Sequence, residues 1–136
     1  MRGAWRWILL PLLAAAPARA AADGEWRAFE RVRWVETAFN DGDSFMVNLG
    51  GTNRVIRLYF ADCPESRADQ ETDLRRVREQ RRYFGLESGD ALVALGRQAA
   101  ARSRELLREP FTVQTTFASA LGRSGQPRIY ALVTLA

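Results

Sequence analysis

The chain has no histidine, no lysine and a single cysteine, Cys63, in 136 residues. Each absence excludes a chemistry. Without histidine the chain holds no Ser-His-Asp or Cys-His relay and no His-ligated zinc site. With one cysteine no internal disulfide forms, even in an oxidising compartment. Without lysine every basic side chain is an arginine, a permanently charged fork suited to bidentate contact with phosphate or carboxylate. Long apolar runs are missing too: ILLPLLAAA, at 8–16, is too short to act as a permanent membrane anchor.

That run nevertheless sits in a known frame. Arg2 and Arg6 precede it, and Ala18-Arg19-Ala20 follows as a small-x-small cleavage site. The three parts read as a secretory signal peptide over 1–20, cleaved near Ala20. A buried N-terminal helix is the competing reading, and the interior Pro11 and Pro17 count against it. The expectation is a secreted or periplasmic protein with no stable membrane association after cleavage. Removing the leader removes three arginines and no acid, which leaves 17 basic against 16 acidic residues, a net charge near +1. Attraction to a polyanion must then come from local clustering rather than net charge.

Residues 21–28 read as a flexible lead-in and 29–136 as one domain. Apolar residues alternate raggedly from Phe29 through Val32, Trp34 and Val35, which predicts a strand over 29–39. NDGDS makes a turn, Phe45–Val47 a second strand, LGGTN a glycine-rich hairpin, and Arg54–Phe60 a third strand. Three strands with short turns are the usual opening of a small barrel.

Helical spacing follows Pro64. Leu74, Val77, Arg81 and Phe84 share one face, Thr72 or Asp73 is placed to cap, and Gly85 stops the helix. Ser88 then opens a second helix with Leu92, Leu95, Ala99 and Leu106 on one face. Ten arginines between 67 and 108 lie among seven acids, so they read chiefly as solvated helix faces with i,i+4 pairing. FTVQTTF (111–117) alternates like a strand, ASALGRSGQP is a loop, and RIYALVTLA is the last strand.

The candidate chemistry lies in acids at two strand ends. Asp41 and Asp43 flank Gly42 in one turn, and Asp62 and Glu65 follow the third strand. A hairpin about LGGTN brings these ends together. Converging carboxylates repel, which protonation or a cation relieves. A hard divalent ion with oxygen ligands suits them, and outside the cytoplasm Ca²⁺ is the usual one. Asn-Asp-Gly-Asp is also ordinary turn chemistry that needs no metal. Arg57, amid apolar strand residues, either pairs with a carboxylate such as Glu65 or reaches out to an anion.

DGDSF, followed by Arg57 in IRLYFADCPE, resembles the thermonuclease, or staphylococcal nuclease-like, family. The family pattern is a DGDT-like turn and then R-L-x-x-x-D-x-P-E at this spacing. The resemblance covers 29–66 closely and extends loosely through FTVQTT and LGR to the last strand. It implies a mainly β, α+β fold: a five-stranded OB-type barrel with a helical block between strands three and four. It implies a Ca²⁺-dependent phosphodiesterase acting on DNA or RNA, single-stranded by preference, with little sequence specificity, and a monomer. Asp43 and Asp62 would bind calcium directly, with Asp41 behind them. Cys63 would contribute its backbone carbonyl where the family usually has threonine. Glu65 would act as general base or orient the water. Arg57 would bind phosphate, joined by Arg123 of Leu121-Gly122-Arg123, or failing that by Arg128.

Two departures accompany the resemblance. Arg67–Phe84 reads as an insertion, and the family's C-terminal helices are absent, so the expected domain is C-terminally truncated. Three other readings stay open: an OB-type module that holds single-stranded nucleic acid without cutting it, a truncated nuclease homologue without activity, and a calcium-stabilised structural domain. Tyr59 and Tyr83 are the aromatic candidates for the module, with no aromatic series evident.

Overall fold

A computed structural model describes residues 24–121 and 127–135. The expected leader therefore lies outside the described residues, as does Arg123. Six strand segments and two helices follow one another: β1 (Arg27–Val32), β2 (Trp34–Val35), β3 (Ser44–Leu49), β4 (Thr52–Leu58), α1 (Glu71–Phe84), α2 (Gly89–Leu106), β5 (Phe111–Thr115) and β6 (Arg128–Thr134). The fold is α+β, a curled half-barrel sheet with two helices. The strand order is β1-β5-β6-β4-β3-β2, with only β4 and β6 parallel.

The predicted first strand, 29–39, is corrected to two pieces parted by Arg33. Arg31 takes a left-handed φ of 55°, and the β1–β5 register shifts between Phe29 and Val32. A bulge of this kind bends a strand and increases its twist. The bend lets β1 pair with β5 while β2, one residue on, pairs with β3 at the other end of the sheet. Beyond Val35 the Asn40 side chain ends the strand: Nδ2 donates to the Val35 carbonyl, and Oδ1 accepts from Met46 N–H.

The hairpin between β3 and β4 turns at Gly50 and Gly51, with φ of 57° and 89°. Two successive positive φ values are what a tight primed turn requires, and glycine meets them without steric cost. The turn puts Ser44 opposite Arg57 and Phe45 opposite Ile56. Alternation then directs Phe45, Val47 and Leu49 inward against Ile56, Phe111, Val113, Ile129 and Ala131. Phe45 and Ile56 are fully buried, each contributing on the order of 2 kcal/mol by leaving water. The opposite, outward face of β3, β4 and β6 carries Ser44, Arg57, Arg128 and Tyr130.

Both helices occur, with two corrections. Helix α1 starts after Gln70 without a side-chain cap, so neither Thr72 nor Asp73 is the capping residue; Gly85 ends it at φ 64° as the spacing predicts. Helix α2 is capped by Ser88, whose hydroxyl accepts from Ala91 N–H at 3.1 Å. Its buried face is Leu92, Val93 and Gly96, whereas Leu95 and Leu106 are exposed. The third strand stops at Leu58 and the fourth at Thr115, each two residues short of prediction, because Phe60 and Phe117 take left-handed φ values.

Candidate functional site

The turn that opens β3 is built by Asp41. Its Oδ1 accepts from Ser44 N–H at 2.7 Å and Asp43 N–H at 3.2 Å, and its own N–H donates to the Ser44 carbonyl. The side chain thus satisfies backbone donors in the turn and fixes the direction of Asp43. Asp43 is 3% exposed and accepts from three sides. Oδ1 accepts from Ser44 Oγ at 2.9 Å and Arg57 Nη1 at 3.3 Å, and Oδ2 accepts from Cys63 N–H at 2.7 Å. One buried carboxylate therefore joins the start of β3, the end of β4 and the segment beyond it.

Arg57 extends the junction. Nη1 lies on Asp43, and Nη2 donates to Asp62 Oδ1 at 2.7 Å, so one guanidinium spans two carboxylates. Asp62 is two-thirds exposed, and Arg76 Nη2 of α1 stands 3.8 Å from it. The same Arg76 nitrogen lies 2.7 Å from Glu65 Oε1. Gln80, one turn further along α1, holds the backbone of this segment: its Oε1 accepts from Glu65 N–H at 2.8 Å, and its Nε2 donates to the Cys63 carbonyl at 3.5 Å.

Helix α2 supports the site from behind through small residues. A methyl group built on Gly96 would fall on the Glu65 carbonyl and 2.6 Å from the Pro64 oxygen. One built on Gly42 would come 2.7 Å from Cys63 Sγ and 3.1 Å from Ala99 Cβ. Ser103 Oγ donates to the Gly42 carbonyl at 2.7 Å. Gly96, Ala99 and Ser103 recur at helical spacing, so one stripe of α2 fits against both the 41–43 turn and the 63–65 segment.

A cleft of about 430 Å³ opens between this junction and α1, lined by Asp41, Ser44, Glu65, Arg67, Arg76 and Arg128 among others. Arg128 Nε donates to the Leu121 carbonyl at 3.1 Å, and Nη1 donates to Ser44 Oγ at 3.4 Å. Arg67 is tied down by the carbonyls of Ala38 and Phe39.

The electrostatics follow from burial and from these pairs. Burial first, and then the charge of Asp43, raise the Asp41 carboxyl to about 6, with the Ser44 and Asp43 amides only partly opposing them. Burial and the Asp43, Asp41 and Asp62 charges push the Cys63 thiol up to about 11, so its sulfur is not a thiolate near neutral pH. Burial draws the Arg57 pKa down, but Asp43, Asp62 and Asp41 outweigh it and the net direction is upward.

Asp41, Asp43, Arg57, Asp62, Cys63 and Glu65 therefore share one neighbourhood, and Arg128 joins them at the cleft. Arg57 pairs with carboxylates, but with Asp43 and Asp62, while the arginine on Glu65 is Arg76. Most arginines of the helical block are solvated as expected, as in the Arg75–Glu79 pair, but Arg67 and Arg76 face the cleft. Arg76, Gln80 and Gly96 were not anticipated. The small-residue stripe of α2 was the one signal pointing to a close contact.

Asp43 and Asp62 approach one another within the span of a guanidinium, and beside them Asp41 carries a pKa raised by burial and by the Asp43 charge. These are hard oxygen donors of the kind Ca²⁺ takes. Among the described residues, no group of three or more acidic or cysteine side chains is gathered so as to hold a metal ion. Asp43 and Asp62 are the two carboxylates that would hold an ion here.

Comparison with protein-family models gives no match. Comparison with curated proteins gives none either.

Proposed function

We propose that this protein is a secreted, calcium-dependent nuclease that hydrolyses phosphodiester bonds of DNA or RNA with little sequence specificity. The observation that carries the reading is the Arg57 guanidinium spanning Asp43 and Asp62 at the edge of a cleft that also holds Glu65 and Arg128. A phosphodiester is anionic and resists attack by water. A site that cleaves it needs cationic groups on the phosphoryl oxygens, a residue to align the water, and a means of offsetting the carboxylates' repulsion of the substrate.

In this reading Asp43 and Asp62 would hold the ion, with the Cys63 carbonyl as a further oxygen donor, and Asp41 shapes the turn that carries Asp43. A bound Ca²⁺ would supply charge withdrawal from a non-bridging oxygen and orientation of the phosphate. Arg57 and Arg128 donate charge-assisted hydrogen bonds to the phosphoryl oxygens, and these tighten as negative charge develops. Arg123 is the alternative second arginine. Glu65 accepts a proton from an in-line water, its carboxylate aimed by Arg76 and its backbone held by Gln80. None of these contacts reads a base, which accounts for weak sequence specificity.

We also read the curled sheet as a five-stranded OB-type barrel in which β1 and β2 are one bent strand. In support, the strand order begins with β1 and ends with β2, and β4 and β6 are parallel. A monomer and a secreted or periplasmic location belong to the same proposal. The test is incubation of the purified protein with DNA in Ca²⁺ and in excess chelator, alongside Glu65→Gln. The expected result is cleavage lost both on chelation and in the variant. Undiminished cleavage by Glu65→Gln, or no cleavage by the wild type in Ca²⁺, rejects the proposal.

A further inference from the structure

The outward face of β4 and β6 carries a row of aromatic rings. Tyr59 and Tyr130 are stacked, with centroids 4.7 Å apart and planes 19° from parallel. Trp26 lies 6.1 Å from Tyr59 on one side, and Phe60 lies 5.6 Å from it on another. No such series is legible in the sequence, where Trp26, Tyr59 and Tyr130 are far apart. The parallel pairing that sets Arg57 beside Tyr130 brings the two tyrosines together, and Tyr59 N–H extends the ladder by donating to the Ala131 carbonyl at 3.0 Å. Tyr83, the other tyrosine expected to serve, projects from α1 against Phe84.

Tyr59 and Tyr130 are partly buried, but packing does not account for the two outer rings. Phe60 is 99% exposed and Trp26 54% exposed. Phe60 also holds a left-handed φ of 60°, a conformation that costs a bulky residue on the order of 1 kcal/mol or more. A phenyl ring that is both strained and immersed in water contributes nothing to the core. It lies two residues before Asp62, on the segment that enters the candidate site.

The order of side chains along the two strands is informative. On β6 the outward residues run Arg128 then Tyr130; on β4 Arg57 faces outward, and Tyr59 follows one residue beyond the strand, its N–H still bonded to the Ala131 carbonyl of β6. Same-face residues in a strand repeat every ~6.8 Å, so β6 places a cation and then an aromatic ring at that interval, and β4 with the residue that follows it repeats the order. A flexible polyanion bearing flat unpaired rings matches this order: phosphates at the arginines, bases against the aromatics. A duplex does not, because its bases already stack on one another inside the helix.

We infer that Trp26, Tyr59, Phe60 and Tyr130 form a stacking platform for unpaired nucleobases of single-stranded nucleic acid, leading the strand to the arginines. The inference rests on the nuclease reading for its biological sense but not for its test. Binding is measured in excess chelator, where cleavage plays no part, by fluorescence anisotropy with labelled 12-mer oligothymidylate. The comparison probes are an abasic 12-mer of equal charge and a blunt duplex. The wild type is expected to bind oligothymidylate at least about fivefold more tightly than the abasic strand, the lower end of what one base–aromatic stack contributes. Phe60→Ala is expected to lose most of that difference, and Phe60→Trp to keep it. Both substitute a fully exposed side chain, and equal thermal melts confirm that both fold. Equal affinity for the thymidylate and abasic strands, or tighter binding to the duplex, overturns the inference. So does a wild-type dimer that Phe60→Ala dissolves while oligothymidylate goes unbound, since the face then serves a second copy. Failure of the nuclease reading shows separately, as intact DNA in Ca²⁺ with the base preference preserved.

Discussion

Replacing Gly96 by alanine sets two physical effects against each other. In an exposed helix interior the change is favourable by about 1 kcal/mol, because glycine is the poorer helix former. At Gly96 the added methyl would fall on the Glu65 carbonyl group, 2.5 Å from its carbon and 2.6 Å from the Pro64 oxygen. Those are backbone atoms, so no rotamer change relieves the overlap. Either α2 moves away from the 64–65 segment or that segment shifts and breaks the hydrogen bond from Glu65 N–H to Gln80. Overpacking of this kind costs roughly 1–3 kcal/mol, and contact with backbone puts this site at the upper end. The expected net effect is a loss of about 2 kcal/mol, on the order of 10 °C in melting temperature for a domain of this size. Urea and thermal unfolding followed by circular dichroism measure it. Gly89→Ala is the control, since its methyl meets only a Val77 side-chain carbon at 3.2 Å and a change within ~0.5 kcal/mol is expected. A Gly96→Ala protein as stable as the wild type would show that α2 does not press on the 64–65 segment, and the account of how Glu65 is positioned would fail with it.

Asp43→Ala should cost about 3 kcal/mol in urea unfolding, because Cys63 N–H, Ser44 Oγ and Arg57 all lose an anionic acceptor; a loss under ~0.5 kcal/mol would mean that the junction is not held by this carboxylate. Asp41 binds its proton more tightly folded, at about 6, than unfolded, near 3.8, so its charge destabilises the fold increasingly as pH rises from 4 to 6 and fully above that. In chelator, Asp41→Asn should therefore raise stability at pH 7.5 by at most ~3 kcal/mol and leave it unchanged at pH 4; equal effects at both pH values would contradict this sign. Adding Ca²⁺ at about a hundred times its Kd should stabilise the wild type by ~2.7 kcal/mol and leave an Asp43→Asn, Asp62→Asn double variant unmoved, and calorimetric melts decide it. Gln80→Ala should lower kcat for DNA cleavage about tenfold with KM little changed, since it removes support from the Glu65 backbone without touching the cleft; a rise in KM alone would assign Gln80 to substrate binding instead.

Local chemistry was legible in the sequence, and long-range pairing was not. The DGDS turn, the Gly50-Gly51 hairpin, the Gly85 stop and the Ser88 cap each depend on a few consecutive residues, and each lies where their φ preferences and hydrogen-bonding groups put it. The meeting of Asp43, Arg57, Asp62 and Glu65 followed from one hairpin, so it was legible too. The break at Arg33 was not, because its cause is a pair of different neighbours, β5 on one side and β3 on the other. Leu95 and Leu106 have the periodicity of a core face, yet α2 is rotated so that Gly96 and Ser103 reach the site. The demand for close backbone approach outweighed the apolar stripe there. The aromatic row depends on a parallel β4–β6 register that no local pattern encodes.

The arginines from three elements explain why so acidic a junction holds its shape. Asp41, Asp43, Asp62 and Glu65 would drive one another apart if left alone. Arg57 from β4 takes two of them, and Arg76 from α1 takes Glu65 and approaches Asp62. Arg128 from β6 completes the ring through Ser44, the residue that also bonds Asp43. Among the described residues Asp41 has backbone amides rather than an arginine on its carboxylate, and burial together with the neighbouring Asp43 charge raises its pKa to about 6. Positive charge at this junction therefore has a graded effect. Where it is supplied by protein it fixes the carboxylates, and at Asp41, buried beside the Asp43 charge, the balance shifts toward a proton. Helix α1 is thus more than a surface addition to the sheet. Without Arg76 and Gln80 the 62–65 segment would keep its tether to Asp43 but lose the contacts that aim Glu65 across the cleft.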